Sequence, residues 1–151
     1  MLMEKNKFTI REVADYIISK YPECCLAYNS KNNDYTNDEL VSECVDFFYF
    51  EKLHWCGCGD PDSAQKAIRD YLNIIYKYHT TSDFKAAWST KIEDMKNVFG
   101  YGDIYDNTFF LCFAYALDAA ELTEHGTSIG GAWPTNEGVM FLTVLNQKEF
   151  E

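Results

Sequence analysis

Positive charge is what this chain has least of. Thirteen Lys and Arg stand against 24 Asp and Glu, a net charge of −11. Between Tyr101 and Gln147 there is no Lys or Arg at all. A duplex-binding surface neutralises phosphates with exactly those side chains, so direct DNA binding is excluded as an expectation. A phosphate-cradling loop is missing too, because Gly130-Gly131 has no following Lys. No apolar run approaches the roughly 18 residues of a membrane span. The stretch 109–117 has nine such residues and reads as the central helix of a soluble core. The start, Met-Leu-Met-Glu-Lys-Asn-Lys, lacks the apolar region of a secretory signal. Cys24 and Cys25 are adjacent, and Cys44 and Cys112 sit in apolar helical patterns. The thiols therefore read as reduced, in a cytoplasm, with no disulfide framework.

What is present is an aromatic-rich, globular composition of 151 residues with 11 Tyr and 11 Phe, enough for one domain. The acidity is blocked. Residues 21–60 carry two basic and eight acidic side chains, and residues 101–151 carry one and eight. Apolar periodicity predicts a mainly α (α+β) fold: a single-domain bundle of about six helices over 1–151, with one short C-terminal hairpin. Thr9 caps a helix to about Tyr21, where Pro22 stops it. Residues 28–35 read as a polar loop. Thr36 with Glu39 forms a capping box opening a broad-banded, largely buried helix to about His54. Asp60-Pro61 opens a third helix, with a stripe of Ala64, Ala67, Ile68, Tyr71, Leu72, Ile75 and Tyr78. Ser82 caps a fourth, ended by Gly100. Asp106 or Asn107 opens a fifth. A hairpin over about 122–135 turns at Ile-Gly-Gly, and Thr135 or Asn136 caps a last helix, about 136–148, carrying Val139, Leu142 and Leu145, with Phe150 continuing the pattern.

The densest chemistry lies in His54-Trp55-Cys56-Gly57-Cys58-Gly59-Asp60-Pro61. His54, Cys56 and Cys58, joined by His125 from the hairpin, offer four zinc-type ligands. Zinc knuckles usually space their cysteines as Cys-x-x-Cys, so the tighter Cys-x-Cys spacing favours a glycine turn whose thiols pack inward and whose Asp60 caps the next helix. No metal or other cofactor is expected. A Cys/His pair here has no orienting acid or oxyanion donors at recognisable spacing, so a non-enzymatic role is expected. His79 sits at a helix end, where the dipole explains it. Glu93-Asp94 and Asp34/Asp38 read as solvated faces.

Two resemblances add to this. The helix–hairpin–helix end, with Trp133-Pro134-Thr135 leaving the hairpin, resembles the wing of winged-helix proteins, although Pro134 stands where those have an apolar residue. The His54–Pro61 run, together with Leu122-Thr-Glu-His-Gly-Thr-Ser-Ile-Gly-Gly-Ala-Trp133, resembles small uncharacterised proteins of phages and prophages of low-GC Gram-positive bacteria. That resemblance implies a small accessory protein in the cytoplasm of an infected host.

Acidic accessory proteins of that kind can act by occupying basic host surfaces, including the nucleic-acid grooves of defence nucleases such as those of CRISPR–Cas. The expected function is thus binding, in an anti-CRISPR or similar anti-defence role. The partner would be a host or phage protein with a basic surface. The candidate contact residues are Asp34, Asp38, Glu39, Glu43 and Asp46, and Asp103, Asp106, Asp118, Glu121 and Glu124. A phage assembly or regulatory module using exposed aromatics, and a zinc-stabilised interaction domain, are the alternatives.

Overall fold

The computed structural model describes residues 8–54, 61–77, 114–125 and 132–150. Within them the protein is mainly helical, with a short antiparallel two-stranded hairpin near the C-terminus. Helix α1 (Ile10–Lys20) starts at the expected cap. The Thr9 hydroxyl accepts the Glu12 amide at 3.1 Å, and the Glu12 carboxylate accepts the Thr9 amide at 2.8 Å. Ile10, Val13, Ala14 and Ile17 make its buried stripe.

Helix α2 (Cys25–Ser30) takes in Tyr28, Asn29 and Ser30, which the polar composition had placed in a loop. Two caps hold it. The Cys24 sulfur accepts the Ala27 amide at 3.3 Å, and Glu51 accepts the Cys25 amide at 3.3 Å. The second partner lies 26 residues away, so no local reading finds it.

Helix α3 (Asn37–Asp46) opens with the Thr36–Glu39 capping box and buries Leu40, Val41, Cys44 and Val45. It then changes geometry. Phe47–Lys52 is a π-helix, not the expected continuation of the α-helix to His54. The wider turn lets three successive side chains, Phe47, Phe48 and Tyr49, all lie within the core. Phe50, expected inside, is instead 48% exposed. His54 ends the segment at φ 57°, a left-handed conformation uncommon for a side chain with a Cβ.

Helix α4 (Pro61–Lys77) begins at the expected proline and packs on the last helix. It buries Ala64, Ala67, Ile68, Tyr71, Leu72 and Ile75 from the expected stripe, with Gln65 and Ile74 added. Residues 114–119 form helix α5, which ends in a Schellman turn. There the Leu122 amide donates to Leu117 O at 3.0 Å and the Glu121 amide to Asp118 O at 2.9 Å. Glu121 takes the left-handed position at φ 63°. This part of the 109–117 run is amphipathic: Ala114 and Leu117 are buried while Tyr115 is 56% exposed.

Strands β1 (Thr123–His125) and β2 (Ala132–Pro134) pair antiparallel, Glu124 opposite Trp133. Thr135 then caps helix α6 (Asn136–Gln147), its hydroxyl accepting the Gly138 amide at 3.1 Å. Gly138 sits against the Leu122 carbonyl, where any Cβ would collide with backbone.

Helix α6 holds the central position expected of residues 109–117. It buries Gly138, Val139, Met140, Phe141, Leu142, Val144 and Leu145 around its circumference and contacts α1, α3 and α4. Phe141 stacks on Phe48 at 5.2 Å between ring centres, and Phe47 links Phe48 to Tyr21. Phe150 lies beyond the helix, half-buried, with the Lys148 ammonium 4.9 Å and the Arg69 guanidinium 5.1 Å from its ring centre. Among the described residues no helix is long and apolar enough to cross a membrane.

The expected helix over 82–99, the alternative caps at Asp106 and Asn107, residue Cys112 and the Ile-Gly-Gly turn lie outside the described residues.

Candidate functional site

The most concentrated polar chemistry in the described residues surrounds Glu137, which composition alone places among the solvated acids of the hairpin. It is 7% exposed. Helix α6 holds it in the first turn, where exposed amide dipoles favour an anion. Helix α1 supplies two phenols: Tyr16 and Tyr21 both donate to Glu137 Oε2, at 2.5 and 2.7 Å. The Lys20 ammonium stands 3.3 Å from the same oxygen.

From the π-helix comes Lys52, whose ammonium faces Oε1 at 3.1 Å as an ion pair without hydrogen-bond alignment. Lys52 also donates to the Tyr21 hydroxyl at 3.0 Å and reaches Glu121 at 3.5 Å. The π geometry is what aims it here: Phe47–Tyr49 fill the core and Lys52 falls on the side facing α6.

The electrostatics of this cluster are self-consistent. Burial pushes the Glu137 carboxyl upward, but the Tyr16 and Tyr21 hydroxyls and Lys52 outweigh it and hold the group below the usual carboxylate range. Burial works against the Lys52 ammonium, and Tyr21 and Glu137 more than compensate, raising it. Both phenols are raised, by burial first and then by Glu137. A carboxylate so engaged has no capacity left to accept a substrate proton. The cluster is a clasp joining α1, the π-helix and α6.

The sequence-derived acidic residues divide sharply. Asp34 and Asp38 are exposed on and before α3. Glu39 is spent on its capping box and held below the ordinary range by Thr36. Glu43 is half-buried and raised by desolvation and by Asp46. Asp46, at the end of α3, is raised by partial desolvation, opposed by Lys148 and reinforced by Glu51. Asp103 and Asp106 lie outside the described residues.

The second acidic group does converge. Asp118, Glu121 and Glu124, with Thr123 and Thr135, line one open depression of about 530 Å³ between the end of α5 and the hairpin. Asp118 is half-buried and accepts the Thr123 hydroxyl at 2.8 Å, which orients it. Glu121 and Glu124 are exposed. Every lining side chain carries a carboxylate or a hydroxyl. A second depression, about 390 Å³, lies beside the clasp between Lys20, Tyr21, Phe47 and Lys52 and mixes both charge signs.

Of the zinc-type ligands, His54 is exposed, and His125 belongs to β1. Cys56 and Cys58 lie outside the described residues. Among the described residues no group of three or more His, Cys, Asp or Glu is arranged to hold a metal ion. Cys24 and Cys44 are buried free thiols, as the apolar pattern around Cys44 predicts, and burial pushes Cys44 up to about 12.

The clasp escaped sequence reasoning because its partners are distant, Tyr16 and Glu137 being 121 positions apart. One local signal was available: Tyr16 and Lys20, four apart, share a face of α1. Comparison with known proteins finds no matching family model, no matching curated protein and no matching solved structure.

Proposed function

We propose that the protein is a small non-enzymatic binding protein that occupies a basic surface of a protein partner. One observation carries the reading: the concave depression bounded by Asp118, Glu121 and Glu124, with two hydroxyls and no basic side chain along its wall. Carboxylates held on a rigid helix–hairpin junction complement Lys and Arg, speed association and repel nucleic acid. The clasp serves this purpose indirectly, since it ties Lys52, and through it Glu121, to the framework.

The resemblance to phage and prophage proteins names the partner class: a nucleic-acid-handling defence protein of the host, such as a CRISPR–Cas nuclease, whose basic groove the acidic face would fill in the host cytoplasm.

The test is affinity capture from host lysate with the native chain and with a Glu121→Gln/Glu124→Gln variant, at low and high salt. A captured basic protein that is lost with the variant, lost at high salt and displaced by duplex DNA supports the reading. Capture indifferent to salt and to both substitutions refutes it, because screening over a Debye length of about 8 Å at physiological salt must weaken a charge-driven contact.

A further inference from the structure

The hairpin register sets Glu124 directly opposite Trp133. Residues so placed share one face of the ribbon, their Cβ atoms about 5 Å apart. Side chains alternate along a strand, and the neighbouring Thr123 is only 3% exposed beneath the sheet. Glu124 is exposed and Trp133 keeps 41% of its surface exposed, so this pair stands on the outer face while α4 and α6 lie against β2. An indole offers a broad apolar face with a negative centre, and here a carboxylate stands beside it.

Charge selects the occupant. Glu121 and Asp118 adjoin Glu124 in the depression, and no Lys or Arg occurs between Tyr101 and Gln147. An anion would be repelled. A purely apolar partner would strip water from Glu124 and leave it unpaired, which is costly. A guanidinium satisfies both groups at once: its plane stacks on the indole and its N–H fork meets the carboxylate. An ammonium has the charge but neither the plane nor the fork.

We infer that the outer face of the hairpin, Trp133 with Glu124, is a docking site for an arginine side chain presented by the protein partner. The inference rests on the binding reading above and specifies the contact it uses. The site reads the shape of the cation, where the depression reads only its charge.

Two probes of equal charge test it: acetyl-Arg-Arg-Arg-amide and its lysine counterpart, titrated into the ¹⁵N-labelled full chain. The chain has three tryptophans, and the Trp133 indole signal is assigned by its absence in Trp133→Phe. The arginine peptide is expected to shift the Trp133 indole and to bind about fivefold more tightly than the lysine peptide. Trp133→Ala and Glu124→Gln should each abolish that preference with the far-ultraviolet circular dichroism unchanged. Equal binding of the two peptides, or shifts confined to Asp34 and Asp38, overturns the docking site and leaves the acidic-surface reading standing. Absence of binding by either peptide overturns both.

Discussion

Replacing Glu137 with alanine should cost more stability than any other single charge removal in the described residues. The substitution deletes the acceptor of two phenol hydroxyls, at 2.5 and 2.7 Å, and strands Lys52, whose side chain is only 13% exposed. Hydrogen bonds to charged groups contribute about 1.5–3 kcal/mol each, and breaking a buried pair typically costs about 3–5 kcal/mol. Part of this is recovered, because Lys20 is 56% exposed and turns into water, and the phenols are only half-buried. About 3 kcal/mol is the expected loss, on the order of 10 °C in Tm for a chain of this size.

Asp62→Ala is the control. It breaks an ion pair with Lys148 in which Asp62 is 52% exposed, and should cost under about 1 kcal/mol. Urea unfolding followed by circular dichroism measures both. The pH dependence supplies a second signature. The Glu137 carboxyl is depressed in the folded state, so its contribution is present above the unfolded-state value and is lost as pH falls through the folded value. The native chain should therefore lose stability below about pH 4.5 more steeply than Glu137→Gln does. A loss under about 1 kcal/mol for Glu137→Ala, or a Glu137–Lys52 double-mutant coupling below about 0.5 kcal/mol, would refute the clasp.

Three further outcomes are expected. Gly138→Ala, which in an ordinary helix would stabilise by about 0.5–1 kcal/mol, should here destabilise by about 2 kcal/mol or more, because its Cβ meets the Leu122 carbonyl; thermal melts decide the sign. Glu121→Gly should stabilise by about 0.5–1 kcal/mol by relieving the left-handed backbone, since the exposed contact to Lys52 offsets little, while weakening capture of the basic partner; melts and pull-down together read the two effects. Glu43→Gln should raise stability at neutral pH by up to about 0.5 kcal/mol after allowance for solvent screening. Desolvation and Asp46 raise this carboxyl when folded, so the native chain gains stability from it as pH falls through the folded value, and the difference between the two proteins should vanish in acid.

The elements that sequence made legible are those set by short-range rules. Thr9 and Thr36 each have a Glu three residues on, and both boxes form. Pro61 starts its helix and Thr135 caps the last one. The alternation and the glycine pair anticipate the hairpin. Helix α2 was missed because its caps are a sulfur and a distant carboxylate, neither of which polar composition reveals. The π-helix was missed because an unbroken apolar run satisfies α and π periodicity alike, and only the packing of Phe47–Tyr49 separates them.

At the candidate site, the acids of the depression were read individually, and their convergence depends on the Schellman turn that folds Glu121 back beside Glu124. Glu137 was counted with them because burial of a carboxylate depends on Tyr16, Tyr21 and Lys52, contacts that no window of sequence contains.

The π-helix makes chain length, more than residue identity, the conserved quantity of its segment. Each π turn takes in one residue more than a turn whose hydrogen bonds close at i+4. Removing any one residue from 47–52 would let the segment relax to α geometry and rotate everything after it by about 100°. Lys52 would swing away from Glu137, and the exit through His54 would point elsewhere. A deletion scan across these six positions would thus find them uniformly intolerant, even at exposed Phe50.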